Sequence, residues 1–343
     1  MRRAAQWTLR AAGPALLAVL LWRVVDYSEL RDVLGGIRVT WAVAALAMVQ
    51  LVIVLRTYRW IAIHNAFGLP KATFGYQLRL SYATSIATLV LPQIVNPFSR
   101  LILLVQDGYR TGRAAAGAVL EKLVELISYV GFGVYGTIAL ATIFAGLIWW
   151  AVGLALASLA AGIGWYAARA RLRQLAGAVI ERLAGGSGPG GAERARLVED
   201  IFSLELPVLA ALLGWSFAIA IAQATMLYFL ARSLGIDLSY QFIVAVWGVI
   251  ALSMLLPISV NGLGTREAIL VVAFDAAGKS TDAAVALGLL VLAAVAIGST
   301  PGIVEWLHRA VAGGRQAASL ENSSGDPLSA EPAPQVSTEG RLP

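Results

Sequence analysis

Two arginines lie deep within apolar sequence, each a few residues after an interruption that contains proline. Arg100 follows the interruption at 91–97, and Arg266 lies just beyond the interruption at 256–264. An arginine at the centre of a bilayer costs at least ~2.5–3.5 kcal/mol on insertion scales, so each one needs a polar cavity, a carboxylate or an anionic ligand. The planar guanidinium group suits a phosphate. We therefore interpret both arginines either as substrate contacts or as members of internal ion pairs.

The interruptions themselves predict helix ends near the middle of the membrane. Proline removes a backbone donor, and glycine adopts conformations closed to other residues. Asn96 followed by Pro97 is typical of an N-cap with proline at the first helical position, and Asn261 followed by Gly262 would start a second helix in the same way. The structural breaks are assigned to Pro92, Pro97 and Pro257.

The start of such a helix favours anions, because its free N–H groups and its dipole both attract negative charge. Lipid cannot satisfy the freed backbone groups, so both breaks must face protein or a water-filled cavity. Two helix ends and two arginines, each about one turn into its helix, would then form one site for a lipid phosphate. The predicted substrate-binding residues are Asn96, Arg100, Asn261, Gly262, Gly264, Arg266 and Glu267.

The two interruptions also match each other in sequence. The pattern Leu-Pro-x-x-Val-Asn occurs at 91–96 and again at 256–261, and an arginine follows in both places. Each interruption lies between two uninterrupted apolar stretches, and the distribution of arginine makes the two halves run in opposite directions. We interpret this pattern as an inverted repeat, the arrangement of many secondary transporters. The alternative is a pair of unrelated proline kinks.

A second charged group opens the apolar stretch at 117–144 and consists of Glu121, Lys122 and Glu125. The two glutamates share one helix face. They could act in gating or coupling, by binding a proton or by pairing with Arg100. The alternative is a position at the cytoplasmic interface, where a charged side chain reaches water at little free-energy cost.

Two other sets of residues have structural explanations. Arg266 is followed directly by Glu267, which could neutralise it within the protein. Arg56, Arg59 and Trp60 lie near the cytoplasmic end of the stretch at 41–63, where such side chains anchor a span at the membrane surface.

Composition places the chain in a membrane. Its 343 residues are 59% hydrophobic and 13% charged, whereas about a quarter of an average soluble domain is charged. Stretches of about 20 apolar residues cross about 30 Å of hydrocarbon. The fold class predicted is an all-α, polytopic membrane helix bundle with six full spans and two re-entrant broken-helix hairpins in an inverted repeat. The six spans lie near 11–25, 41–63, 117–144, 147–168, 207–231 and 283–307, and the hairpins lie at 74–105 and 240–274.

The chain has no cysteine and only two histidines, so neither thiolate chemistry nor a histidine metal site is expected. We expect no metal, no cofactor and no enzymatic activity. The formal net charge of +6 is attributed to cytoplasmic loops and not to nucleic-acid binding. The expected partner is a membrane lipid or a lipid-linked substrate, and the oligomeric state stays open.

Arginine-rich segments set the predicted orientation and the domain boundaries. The loop at 169–206 contains six arginines, and both termini are also basic, so all three are placed in the cytoplasm of a bacterial cell with the protein in the inner membrane. The integral membrane domain is predicted at 1–315, with its halves at about 1–168 and 207–315. The Ser-, Pro- and Glu-rich tail at 316–343 is predicted to be disordered.

Residues 259–267, Ser-Val-Asn-Gly-Leu-Gly-Thr-Arg-Glu, resemble the Pro-x-Ser-x-Gly-Gly-Leu-Gly-x-Arg-Glu signature of the flippase-like integral membrane family. That family is typified by the transmembrane domain of lysylphosphatidylglycerol synthases, and the resemblance covers about 1–310. It implies re-entrant elements and a role in moving lipids between leaflets. The first interruption departs from the family pattern Leu-Pro-x-x-x-Gly-Glu-x-x-Arg, because the Gly-Glu pair is missing. We see no aminoacyl-transferase domain and expect no synthase activity.

The main functional hypothesis is translocation of a phosphate-bearing lipid or lipid-linked molecule between leaflets. A membrane enzyme that modifies lipid headgroups and a non-transporting scaffold of a lipid pathway are the alternatives. An enzyme would need acid and base groups, for which Glu121, Glu125, Glu267 and His64 are the candidates.

Overall fold

The computed structural model describes residues 35–70, 72–89, 96–109, 111–141, 204–254 and 264–309. All regular secondary structure in these ranges is helical, which confirms the all-α class. Several sequence predictions fall outside these ranges. They concern Pro92, Pro257, Asn261, Gly262, the spans near 11–25 and 147–168, the loop at 169–206 and the tail at 316–343.

Each half of the described chain contains the same order of helices. The first half consists of α1 (Val39–Ala66), α2 (Phe74–Ala87), α3 (Asn96–Gln106) and α4 (Thr111–Ala141). Their lengths are 28, 14, 11 and 31 residues.

The second half repeats this order with α5 (Leu206–Ser233), α6 (Tyr240–Ser253), α7 (Thr265–Ala276) and α8 (Thr281–Gly298). Their lengths are 28, 14, 12 and 18 residues, and a further helical segment at 301–309 follows α8. The long–short–break–short–long order predicted from the sequence is therefore present in both halves.

Short polar side chains define where several helices begin. The hydroxyl of Thr73 accepts a hydrogen bond from the backbone N–H of Tyr76 at the start of α2, and Ser239 does the same for α6. Such N-caps satisfy backbone donors that the first helical turn leaves free. Gly108 and Gly278 have φ angles of 82° and 67° and end α3 and α7, because this left-handed conformation favours glycine.

Helix α7 begins later than the sequence suggested. The prediction placed its start at Asn261–Gly262, but its N-cap is Gly264, with a φ of 82°, and the first helical residue is Thr265. Only glycine adopts this backbone conformation at little cost, so the helix starts after the last glycine of the interruption.

The packing of the helices respects the repeat. α1 packs against α5, and each of them contacts both α4 and α8. Within each half, the first two helices pack together, the two short helices pack together, and the last two do the same. Exchanging the two halves leaves these contacts unchanged, as expected of an internal two-fold repeat. The symmetry is incomplete, because α4 also packs extensively on α6, whereas the equivalent pair of described helices, α8 and α2, lacks comparable packing.

Four of the described helices are long and apolar enough to cross a membrane: Val39–Ala66, Gly112–Ala141, Leu206–Ser233 and Thr281–Gly298. Helices α2 and α6 have 14 residues each, and such a helix is about 21 Å long at 1.5 Å per residue, too short to cross the hydrocarbon alone. The chain is therefore a multi-pass membrane protein. Each interrupted stretch is a pair of short helices.

Glycines allow α4 and α6 to approach very closely. A Cβ atom placed on Gly136 would lie 2.2 Å from the carbonyl oxygen of Ala245, and one placed on Gly248 would lie 2.1 Å from that of Phe132. Small residues let helix backbones come together in membranes, where van der Waals contact is a main source of association.

The substitution Gly248→Ala is expected to destabilise the protein by about 1–3 kcal/mol, because the added methyl group meets rigid backbone and not a flexible side chain. The control is Gly214→Ala in α5, where an added Cβ atom meets nothing within 4 Å. Thermal unfolding in detergent should show a clear loss for the first variant only. Equal melting temperatures for both would refute the close contact.

Candidate functional site

A cavity of about 80 Å³ lies between the two halves of the bundle. Its walls come from α1, α2, α4, α5, α6, α7 and α8. Thr88 and Met254, the C-caps of α2 and α6, both line it. These two residues shortly precede the two interruptions, so both short-helix pairs present a helix end to the same internal space.

The cavity has an apolar side and a polar side. Valine, isoleucine and methionine side chains form much of the wall, but Arg56 and Arg266 also line it. Gln223 Oε1, Trp247 Nε1 and Ser299 Oγ are buried there without a hydrogen-bond partner among the described residues. Buried polar atoms are normally paired, so three such atoms around one cavity indicate a place for a polar ligand or water.

Arg266 is neutralised by its neighbour. Its Nε and Nη2 atoms donate to Glu267 Oε1 over 3.0 Å and 2.5 Å, and Nη2 also donates to the carbonyl oxygen of Gly288 over 3.1 Å. Both side chains are almost fully buried, at 3% and 0% exposed. The structural alternative considered for Arg266, an internal pair with Glu267, is therefore present, although Arg266 also reaches the cavity.

Glu267 also organises the start of α7. Its Oε2 atom accepts a hydrogen bond of 2.6 Å from the backbone N–H of Gly264. A carboxylate at the third helical position that binds the N-cap N–H is one half of a capping box. Gly288 on α8 leaves room for it, because an added Cβ atom there would lie 2.8 Å from Glu267 Cγ. The predicted residues Gly264, Arg266 and Glu267 are thus linked by hydrogen bonds at the start of α7, and Arg266 lines the cavity.

Arg100 has a different environment. Its Nη2 atom donates to Ser81 Oγ over 2.8 Å and to Thr84 Oγ1 over 3.4 Å, and its guanidinium carbon lies 5.0 Å from the ring centre of Trp60. The residue is 3% exposed, and Nη1 has no partner among the described residues. In the described part of the chain Arg100 forms no ion pair. Hydroxyl groups and an aromatic face stabilise its charge by direct contact, and Glu121 attracts it from a longer distance. Unlike Arg266, Arg100 is not among the residues that line the cavity.

The pairing of Arg100 with Glu121 that the sequence left open is not formed. Glu121 Oε1 instead accepts a hydrogen bond of 2.8 Å from Arg59 Nη2, and Arg59 Nη1 donates to Ser216 Oγ over 3.0 Å. Arg59 and Trp60 are 2% and 0% exposed, so the prediction that they anchor a span at the membrane surface was wrong. Sequence reasoning missed the role of Arg59. Opposite charges on two neighbouring predicted spans were the signal that could have revealed it.

The second predicted charged group is also internal. Lys122 Nζ lies 3.0 Å from Glu125 Oε2, and the hydroxyl of Tyr129 donates to Glu125 Oε1 over 3.1 Å. Glu121 and Glu125 are only 9% and 8% exposed. Both carboxylates are therefore held inside the bundle by cations and are not freely exposed side chains at the surface of the protein.

Arg100 and Arg266 are not at equivalent positions, although both follow an interruption. Gly108 ends α3 eight residues after Arg100, whereas Gly278 ends α7 twelve residues after Arg266. Four residues are about one helical turn, so the two arginines share a face but lie at different depths. The expectation that Arg266 lies one turn into its helix was wrong, because it is the second residue of α7. Asn96 and Pro97 are the first two described residues of α3.

An ionic cluster connects the turn after α3 with the helical segment at 301–309. Arg309 donates through Nη1 and Nη2 to both carboxylate oxygens of Asp107, each over 2.9 Å, and through Nε to Glu305 over 2.9 Å. The hydroxyl of Tyr76 donates to Asp107 over 2.5 Å. Burial raises the pKa of Asp107, but the hydrogen bonds from Arg309 and Tyr76 outweigh this and hold the pKa below its usual value. Asp107 therefore stays ionised at neutral pH.

These helices and this cavity define a multi-pass helical membrane protein with a polar internal site between two repeated halves. The family model of the lysylphosphatidylglycerol synthase TM region matches residues 10–302, and the chain belongs to this family. The resemblance seen at 259–267 is confirmed. The TM region is the non-catalytic part of those synthases, and membership of the family associates the chain with lipid-related processes at the membrane. A comparison with curated proteins found no match.

The substitution Glu267→Ala is expected to lower the free energy of unfolding by about 3–5 kcal/mol, because it leaves Arg266 charged, buried and without its carboxylate. The matched control is Asp275→Ala, which removes an exposed carboxylate from the same helix. Chemical or thermal unfolding in detergent measures both. If Glu267→Ala were as stable as the control, the buried pair would not be what holds the start of α7.

Proposed function

We propose that this protein translocates an anionic lipid or lipid-linked molecule, phosphate-bearing in its headgroup, between the two leaflets of the membrane. The observation that carries the proposal is the cavity between the halves, which is lined by the residues that precede both interruptions. Many transporters bind their substrate at the meeting point of two broken helices from two repeats. The apolar wall suits the acyl-chain side of a lipid, and the polar wall suits its headgroup.

The charges inside the bundle favour an anionic cargo. Arg59 is balanced by Glu121, Lys122 by Glu125, and Arg266 by Glu267. Arg100 is the buried arginine that no described carboxylate neutralises. A buried cation without a counter-charge is costly, and a bound phosphate would offset that cost.

Within this proposal the site residues have separate tasks. Arg100, which lies outside the cavity lining, is proposed to reach the phosphate from α3, while Arg266, Glu267 and Gly264 shape the start of α7, whose helix dipole favours an anion. Asn96, Asn261 and Gly262 are proposed to complete the substrate site, and Glu121, Lys122 and Glu125 are proposed to act in gating or coupling.

The two interrupted stretches are proposed to be re-entrant hairpins. The hydroxyl of Tyr76, in the first turn of α2, binds Asp107, just after the end of α3. A stretch whose two ends touch leaves the membrane on the side where it entered. This contact supports a hairpin for the first stretch. The second hairpin, six full spans, an inverted repeat and cytoplasmic termini in a bacterial inner membrane are proposed together with it. A headgroup-modifying enzyme is less well supported, because Glu121, Glu125 and Glu267 are all held in ion pairs.

Translocation can be tested with purified protein in liposomes that contain a fluorescent anionic phospholipid, with a membrane-impermeant reductant added outside. Active protein should expose inner-leaflet lipid to the reductant without changing the headgroup, as checked by mass spectrometry. Arg100→Gln should reduce the rate about tenfold or more, because a hydrogen bond to a charged group contributes about 1.5–3 kcal/mol. The charge-matched control is Arg113→Gln, at a partly exposed position near the start of α4, which should transport normally.

Each other outcome has a definite meaning in this assay. A chemically altered headgroup would favour the enzyme, and neither movement nor chemistry would favour the scaffold. Equal loss of transport in the Arg100 and Arg113 variants would remove Arg100 from the proposed site.

A further inference from the structure

We propose that the helical segment at 301–309 is a gate that closes the cavity on the side of the α3–α4 turn, held shut by the ion pair between Arg309 and Asp107. The proposal rests on the proposed function in one respect, since it takes the central cavity to be the route of the cargo. It adds a moving segment, a hinge between α8 and that segment, and a latch, which is the ion pair between Arg309 and Asp107.

The hinge lies between α8 and the gate segment. α8 ends at Gly298, and Pro301 cannot donate a backbone hydrogen bond, so the helical ladder is interrupted. The bonds that remain span three residues, from Thr300 N–H to Ile297 and from Gly302 N–H to Ser299. Proline and a short run of such tighter turns are established causes of a kink in a long helix.

The near side of the hinge is fixed, and it borders the cavity. Gln50 on α1 donates through Nε2 to the carbonyl oxygen of Gly298 over 3.0 Å, and a Cβ atom on Gly298 would lie 2.4 Å from Val49 Cγ1. Ser299 is the next residue, and its buried Oγ atom faces the cavity without a partner among the described residues. A rotation at the hinge therefore moves the gate segment relative to the cavity wall while α8 stays packed on α1.

The far side of the hinge is held to the first half by polar contacts. Trp306 Nε1 donates to the carbonyl oxygen of Ala83 on α2 over 3.0 Å. Arg309 binds both oxygens of Asp107, and the side chains are 18% and 26% exposed. Partly exposed charges can exchange their contacts with water at little cost, unlike the ion pairs buried inside the bundle.

The matching place in the other half has no such device. α4 runs without interruption from Thr111 to Ala141, and it meets α6 through backbone contacts at Gly136 and Gly248. When the halves are aligned on Gly108 and Gly278, Ala139 and Ala277 occupy the positions of Arg309 and Asp107. Close helix packing occurs in both halves, since a Cβ atom placed on Gly302 would lie 2.3 Å from the carbonyl oxygen of Tyr82 on α2. Among the described residues, the proline-containing hinge and the ionic latch occur at one end only, and they distinguish a gate from a general feature of the fold.

The absence of cysteine allows the gate to be tested by thiol labelling. Ser85→Cys places a reporter thiol in the cavity wall. A membrane-impermeant maleimide is added to vesicles that expose the α3–α4 turn. In this background, Asp107→Arg or Arg309→Asp should accelerate labelling about tenfold or more, because the charge-assisted bonds are replaced by repulsion. Combining both substitutions reverses the pair and should return labelling to the slow rate.

Controls separate gate opening from other effects. Arg232→Asp breaks another surface ion pair, with Asp237, and should leave labelling slow. Ala284→Cys reports on a buried position of α8 outside the cavity lining and should stay unlabelled in every latch variant. Trp306→Phe, which removes only one hydrogen bond, should give intermediate labelling of the reporter at position 85.

The gate would be refuted by unchanged labelling in both single latch variants, by failure of the reversed pair to restore slow labelling, or by equal acceleration at positions 85 and 284. The labelling does not depend on which cargo moves. If the latch variants open the cavity but no lipid is translocated in any condition, the gate stands and the proposed function fails.

Discussion

Hydrocarbon offers no hydrogen-bond partner to a free backbone N–H or C=O group, and the architecture of this protein follows from that constraint. Each interrupted stretch frees several such groups in the middle of an apolar environment. The two interruptions can persist only if protein or water surrounds them. The cavity between the halves is lined by the C-caps of α2 and α6, the helices that precede the two interruptions. The internal repeat is the simplest way to bring two such breaks together.

Hydrocarbon also cannot solvate charged groups, and in this bundle most buried charges are paired with a nearby opposite charge. Arg59, Arg266 and Lys122 each have a carboxylate within 3.0 Å. The desolvation of such a pair offsets most of its attraction, so the pair contributes little net stability. Removing one partner nevertheless lowers the free energy of unfolding strongly, because the other charge stays buried and unpaired. Such pairs fix geometry more than they add stability. Against this background Arg100, held by hydroxyl groups and the face of Trp60, is the exception, because it forms no ion pair with a described carboxylate.

The sequence predicted the all-α membrane class and the order of the helices, because membrane helices are recognised by their length and apolar content. The paired interruptions at 91–97 and 256–264 indicated the repeated order of helices from the sequence alone. Contacts between helices were harder, because pattern does not say which faces meet. Arg59 was read as an interfacial anchor since it lies near a span end, but Glu121 draws it inward. Arg100 and Arg266 lie at different distances from the ends of their helices, because the two breaks differ in length. An alignment of the short motifs alone does not show this difference.

An unneutralised cation inside a bilayer also feels the membrane voltage. Moving one elementary charge fully across a potential of 100 mV changes the free energy by about 2.3 kcal/mol. The side chain of Arg100 therefore couples any displacement of its surroundings to the electric field. A cargo with one negative charge would cancel this coupling while bound. The empty and the occupied protein would then respond differently to the same voltage. If the protein translocates its cargo as proposed, the membrane potential would act on the empty protein more than on the loaded one.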